Sequence, residues 1–390
     1  MITEGRVMTN EPSTRLRYDA DSHLMERPDW LSSYADPGIR ERLDDLCPRS
    51  LKDQMRELLG IAELRKDEPV LRQWAEADPF AVKSWAALGA VFPEERSRAL
   101  DLMGFGAQLV FSTYSINQFI LAADPEVRNG GARAHNRGIV EFCAADKRLL
   151  PVAVVPLEDG DTAAQLVAEA IEAGCAAVWI PPITPTRISP SHVELDPFWA
   201  RLQDADIPFV LHVGTSGGQV DPVYHNNGRP LSPDLFGGDE NMRSKDYMAL
   251  PELPAKILTA LILDGVLDRF PSLRGGCIEY GAAWVPAWLD RLDRTHKYFS
   301  STESSLADLR EKPSRYVREQ LKFTPDSSEQ VALLMDQLGD ELLMFSTDFP
   351  HPEGGKDPIG SFELALATVS EERKDLFYRK NFVQLMGSQE

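Results

Sequence analysis

PFVLHVG (residues 208–214) is the stretch on which the reading of this chain turns. Phe209, Val210 and Leu211 run without alternation from a proline, and the segment ends in His212, Val213 and Gly214. A run this short is no helix, and without a polar face it must be buried on both sides, as strands of a parallel sheet are. The same design recurs along the chain. Upstream stand LRYDADSH (16–23), which instead alternates and ends in polar residues, and then AQLVFST (107–113), LLPVAVVP (149–156) and AAVWIPP (176–182). Downstream stand LRGGCIEYG (273–281), LKFTP (321–325) and LLMFSTDFPH (342–351), which makes eight short strands.

Helical segments lie between them. AAQLVAEAIEAG (163–174) carries apolar residues at helical spacing and a glycine stop. VPAWLDRLDRTHKYF (285–299) sets Trp288, Leu289 and Leu292 on one face and charged residues on the other. Strand–helix alternation repeated eight times predicts a parallel barrel, a distorted (β/α)8 TIM barrel. An open, doubly wound sheet is the competing architecture, but no GxGxxG follows the first strand to support a dinucleotide-binding version.

The expected organisation is a polar, flexible arm over residues 1–15 and a single barrel domain over 16–390. Two segments exceed ordinary connection lengths. Residues 47–106, after the first strand, read as mostly helical. Residues 215–254, after the fifth, are rich in Gly, Pro and Asn with little periodicity. A loop at that end of a barrel hangs over the mouth, so the second insertion reads as a lid or substrate wall, with a tolerated surface insertion as the alternative.

The ionisable residues collect at strand ends. Asp21 and His23 are two apart and share a face of the first strand. Glu26 follows just beyond it. His212 closes the fifth strand, Glu279 the sixth, and Asp348 the eighth, with His351 three residues later. Singly, each has a plain structural explanation: a hydrogen-bonded core histidine, a carboxylate paired to Arg274, a turn cap. Together they place charge at the same end of four strands, where barrel enzymes keep their chemistry. Buried carboxylates converging on one point repel and take up protons unless a cation is present. Histidine nitrogen with carboxylate oxygen and no thiolate suits zinc, manganese or iron as a divalent metal.

Composition narrows the partners. A net charge of −20 and a pI near 4.8 argue against nucleic-acid binding. The longest apolar runs fall short of a membrane span. Cys47, Cys143, Cys175 and Cys277 form no CxxC pair, so neither a disulfide framework nor a structural zinc site is expected. The first residues contain no apolar signal-peptide core, and a cytoplasmic location is expected.

At the strand-end residues the chain resembles the amidohydrolase-2 branch of the amidohydrolase superfamily. That branch includes aminocarboxymuconate semialdehyde decarboxylase, γ-resorcylate decarboxylase and related metal-dependent hydrolases. The resemblance is carried by DADSHLMERPD (19–29), LHVG (211–214), DGVLDRFPSLRGGCIEYGAAWVPAWLDRLD (264–293) and FSTDFPHPEGG (345–355). It implies a metal held by Asp21 and His23 on strand one, His212 on strand five and Asp348 on strand eight, in a homo-oligomer, a dimer. Decarboxylating members carry a proton-transferring histidine on strand six, where this chain has Glu279.

Two reactions follow. In one, a single metal activates water; Asp348 orients it and accepts its proton, and Glu279 ligates the metal or relays protons. The substrate is then a small carboxylate, lactone, ester or carbonyl-activated C–C compound, and a decarboxylase variant would polarise the substrate instead. In the other, Asp21, Glu26, Glu279 and Asp348 with His23 and His212 hold two irons of a nonheme diiron monooxygenase. His225, Arg243 and Lys245 in the second insertion, and His351, are the expected substrate contacts; the two cations would receive a carboxylate or phosphate.

Overall fold

Seven of the eight apolar segments form strands: β1 (Arg17–His23), β2 (Phe105–Phe111), β3 (Leu149–Val154), β4 (Ala177–Trp179), β5 (Phe209–Leu211), β6 (Gly275–Cys277) and β7 (Leu321–Phe323). All pair in parallel in the order of the sequence, so the sheet curls in one direction. Buried residues dominate every strand, as the unalternating apolar pattern requires. The computed structural model describes residues 15–182, 188–214, 220–231 and 243–387. Except for Arg15, the expected N-terminal arm lies outside the described residues, as do 215–219 and 232–242 of the second insertion.

The eighth segment closes the ring without becoming a regular strand. On one side Met344 N donates to Phe323 O (2.9 Å) and Phe323 N to Leu342 O (2.8 Å). On the other, Ala20 N donates to Phe345 O (3.0 Å), Asp348 N to Asp21 O (2.9 Å) and His23 N to Phe349 O (2.7 Å). What interrupts the ladder is Asp348, whose φ of 53° lies in the left-handed region and turns the chain at the barrel's C-terminal end. The architecture is thus the distorted α/β barrel read from the sequence, with an irregular last stave.

Helices cover the outside. Gly160–Ala173 is capped by Asp159, which accepts from Thr162 N, and ends at Gly174 with φ 98°. Residues 47–106 do contain helices, at Arg49–Asp67, Pro69–Ala77 and Pro93–Met103. A bidentate Arg65–Glu95 pair, 2.6 Å at each contact, ties the first of these to the last. All four cysteines are buried free thiols. No helix among the described residues is long and apolar enough to cross a membrane.

The seam between β1 and the last stave is knitted by Asp19. Its carboxylate accepts from Thr347 N (2.9 Å), Thr347 Oγ1 (2.6 Å), Gln108 Nε2 (2.8 Å) and Asp21 N (3.2 Å). Gln108 in turn accepts from the fully buried Arg96 at 3.1 Å. Burial raises the Asp19 carboxyl to about 7 against these hydrogen bonds. Replacing Thr347 by Val keeps its shape but deprives a buried carboxyl oxygen of a donor, so it should cost roughly 1–3 kcal/mol in denaturant unfolding. A cost near zero would mean that this seam does not hold the ring closed.

Candidate metal centre

Each histidine at the mouth is fixed by what its Nδ1 touches. His212 Nδ1 lies 2.7 Å from Val213 O, and His23 Nδ1 lies 3.2 Å from Ser112 O. A carbonyl only accepts, so both rings donate through Nδ1; His23 then presents its Nε2 lone pair inward, while His212 Nε2 hydrogen-bonds Asp21 Oδ1 at 3.1 Å and would present its lone pair to a metal on losing that proton. Aromatic packing holds the planes: the His212 ring centroid lies 4.3 Å from Phe111 and 5.0 Å from Trp179. Tyr280 adds a hydrogen bond from its hydroxyl to His212 O, 2.8 Å.

The carboxylates meet those nitrogens. Asp21 Oδ1 lies 3.1 Å from His212 Nε2 and 3.3 Å from His23 Nε2. Asp348 Oδ1 lies 3.4 Å from His23 Nε2 and 2.8 Å from His351 Nδ1. Glu279 Oε2 lies 3.4 Å from His212 Nδ1. Three overlapping groups have ligand atoms within 4.8 Å of one another: Asp21, His23 and His212; His23, Asp348 and His351; and Asp21, Glu279 and Asp348. Glu279 and Asp348 both have positive φ (67° and 53°), a strain of about 1–3 kcal/mol each that non-glycine residues bear mainly at functional sites.

The electrostatics match a cation site. Burial lowers the His23 imidazole to about 3, with His351 adding repulsion, so the ring is neutral. Burial also works against the charged forms of Asp21 and His212, but their mutual attraction outweighs it, lowering Asp21 and raising His212. Asp348 is raised to about 6, first by burial, with His351 opposing. His23 Nε2 makes no hydrogen bond although two carboxylate oxygens stand within 3.4 Å, and Asp348 Oδ2 makes none either. Inward lone pairs on histidine and carboxylate, unsatisfied and buried, are the donor set of a divalent zinc, manganese or iron ion.

Asp348 and His351 share a proton. Thr113 Oγ1 donates to Leu24 O at 2.9 Å, so its oxygen accepts from His351 Nε2, 3.0 Å away. The 2.8 Å contact from His351 Nδ1 to the Asp348 carboxyl then needs a proton of its own. His351, expected as a substrate contact, pairs with Asp348, and its ring stacks on His23 at 3.9 Å.

Other sequence expectations fall elsewhere. Glu26 does not join any of the three groups. Its Oε1 accepts from the backbone N–H of Thr113, Tyr114 and Ser115 at 2.8–3.0 Å, which anchors the start of the Ser115–Phe119 helix. The set of four carboxylates for a two-iron site is therefore one short. His225 Nε2 lies 3.2 Å from Asp246 Oδ1, Arg243 N donates to Asp246 Oδ2 (3.0 Å), and Lys245 Nζ donates to Tyr224 O. The cavity beside the metal cluster is about 230 Å³, with Asp21, Glu279 and Asp348 in its wall. His225, Arg243 and Lys245 do not line it; Tyr247, from the same insertion, does. Sequence reading also passed over Thr324, whose Oγ1 accepts from Glu279 N at 2.9 Å. It stands at the end of β7, where the strand-end rule would have found it.

Comparison with known proteins agrees with the barrel fold. Residues 22–382 match the family model described as Amidohydrolase. A γ-resorcylate decarboxylase of Rhodococcus jostii is 26% identical over 284 residues, 67% of this chain and 81% of that protein. The fold superposes on an amidohydrolase from Mycobacterium avium subsp. paratuberculosis with a TM-score of 0.70 at 21% identity, over 96% of this chain and 100% of that one. It also superposes on a dihydroxybenzoic acid decarboxylase from Polaromonas with bound manganese and 2-nitroresorcinol (TM-score 0.62, 15% identity, 95% and 97% covered).

Replacing His212 by Ala removes one inward lone pair and should strip most bound metal, measured by elemental analysis, while the far-UV circular dichroism is retained. Full metal occupancy in that variant would reject the ligand set. Because metal competes with protons for these ligands, manganese affinity should fall as pH drops through about 6, where Asp348 binds its proton. A constant affinity from pH 7 to 5 would contradict that.

Proposed function

The chain belongs to the amidohydrolase family whose model spans residues 22–382, and from that membership and the mouth's geometry we propose that it is a metal-dependent hydrolase of a small, uncharged organic substrate. Asp21, His23, His212 and Asp348 are the residues that would hold the metal. When bound, such an ion supplies a Lewis acid and lowers the pKa of water toward neutrality. The finding that carries the hydrolytic reading is Glu279, a carboxylate where decarboxylating members of the branch have a histidine.

Two carboxyl groups with different surroundings divide acid and base work between them. Asp348 orients the attacking water and accepts its proton; His351, which already shares one proton with Asp348, accommodates the added charge. Glu279 faces the same point as Asp348 and Asp21 and delivers a proton to the leaving group. Val213, Tyr247, Leu250, Pro358 and Phe362 offer an apolar wall for the body of the substrate. No lysine or arginine is among the described residues lining the cavity, which favours an ester, a lactone or a carbonyl-activated C–C bond over a carboxylate anion.

Decarboxylation of a small aromatic carboxylate is the second reading. The alignment over 67% of the chain with a γ-resorcylate decarboxylase, and the aromatic ligand of the manganese-bearing Polaromonas structure, favour it.

A pair of assays on manganese-loaded protein separates the two. Alkali uptake against lactones, esters and 1,3-diketones should reveal turnover, and headspace carbon dioxide from dihydroxybenzoates should stay at background. Glu279→Gln should then slow hydrolysis by about 10²-fold or more; it should weaken metal affinity by about 10-fold, as loss of a carboxylate facing the ion does, with the stoichiometry at saturation kept. Carbon dioxide release without any hydrolysis would replace the proposal by the second reading.

A further inference from the structure

The loop that carries Glu279 is held from the far side by another carboxylate. Glu329 stands just before the Val331–Leu338 helix, on the loop that follows β7. Its Oε1 accepts from Ala283 N (2.8 Å) and Ala282 N (3.2 Å); its Oε2 accepts from Ala282 N (2.9 Å) and Asp326 N (3.0 Å). Gly281, at φ 65°, sets the two alanine N–H groups on this one anion, and a Cβ there would stand 3.0 Å from Glu329 Oε1. Successive amides converging on an anion form a nest, here just ahead of the Val285–Phe299 helix, whose N-terminus also favours negative charge.

This arrangement spans two loops with one side chain. Glu279, Tyr280 and Gly281 leave β6, and Thr324 to Ser327 leave β7; Glu279, Gly281 and residues 324–327 all line the cavity. Glu279 itself donates its backbone N–H to Thr324 Oγ1 on the second loop, 2.9 Å. Its left-handed backbone persists only if the turn around it is over-determined. Glu329 serves that need with two carboxylate oxygens that accept from three backbone N–H groups, those of Ala282, Ala283 and Asp326, and it is not among the candidate metal-ligand groups.

We infer that Glu329 is the positioning residue for Glu279: it fixes the 279–283 turn so that the Glu279 carboxylate stays aimed at the metal cluster. This rests on the metal reading of the site given above. A neutral amide cannot substitute, because its NH2 group would face backbone donors that the carboxylate now accepts from.

Cobalt(II) titration by visible absorption tests this without a substrate, using wild type, Glu329→Gln, Glu279→Gln and the double variant. Loss of a residue that orients a group at a metal site weakens metal affinity by about 10–100-fold. Glu329→Gln should therefore weaken cobalt binding about 10-fold and alter its spectrum, with the stoichiometry at saturation unchanged. In the Glu279→Gln background the same substitution should add nothing, since its effect runs through Glu279. If Glu329→Gln does not fold, Glu329→Asp, which keeps the charge but withdraws it, serves in the same cycle. Additive losses, or a folded Glu329 variant with wild-type affinity and spectrum, would overturn the inference. Wild-type protein that binds no cobalt at all would instead remove the metal reading itself.

Discussion

The convergence of Asp21, Glu279 and Asp348 within 4.8 Å of one another is the constraint to which the rest of the structure answers. Three carboxylates so close, with two of them buried in their ring of strands, repel one another and lose solvation. Two neutral-capable histidines soften this only partly. The fold can hold such a cluster because its supports are backbone and second-layer hydrogen bonds, with little left to chance at the side chains: carbonyls fix both histidine tautomers, Asp19 fixes the strand that carries Asp21 to the stave that carries Asp348, and Glu329 grips the turn beyond Glu279. A cation at the point of convergence turns the repulsion into attraction and makes sense of the unsatisfied His23 Nε2 and Asp348 Oδ2.

The ring and most of the cluster were legible in the sequence because buried parallel strands are written as short unalternating runs, and a charge that closes such a run stands out. Asp21, His23, His212, Glu279 and Asp348 were all found that way. Glu26 broke the rule because it lies three residues past the strand end, where a free backbone N-terminus, that of Ser115–Phe119, competes for a carboxylate and wins. The contacts of the His351 ring with Thr113 and Asp348 were not legible, since nothing in sequence spacing reveals them. Arg243 and Lys245 do not line the cavity; the Arg243 backbone N–H donates to Asp246 and the Lys245 ammonium to Tyr224 O. The support residues Asp19, Thr324 and Glu329 were invisible for a simpler reason. Their roles depend on which loops are neighbours in space, and only a closed ring brings β1 beside the last stave.

Family membership and local chemistry point in slightly different directions, and the difference is confined to one residue. The barrel belongs to the family's common plan, and the sequence resemblance implies the same of the strand-one pair, the strand-five histidine and the strand-eight aspartate. It implies the opposite for Glu279, which sits on a backbone conformation that costs energy to keep. A strained carboxylate retained beside two others is a poor choice for structure and a good one for moving protons, the property on which the hydrolytic reading depends.

If this convergence exists to bind a divalent metal, anomalous diffraction from crystals of the manganese-loaded protein, collected on both sides of the manganese edge, will locate the ion. A peak bounded by Asp21, His23, His212 and Asp348 is the predicted result. Fully loaded, catalytically active protein with its anomalous peak elsewhere, or with none, would contradict it.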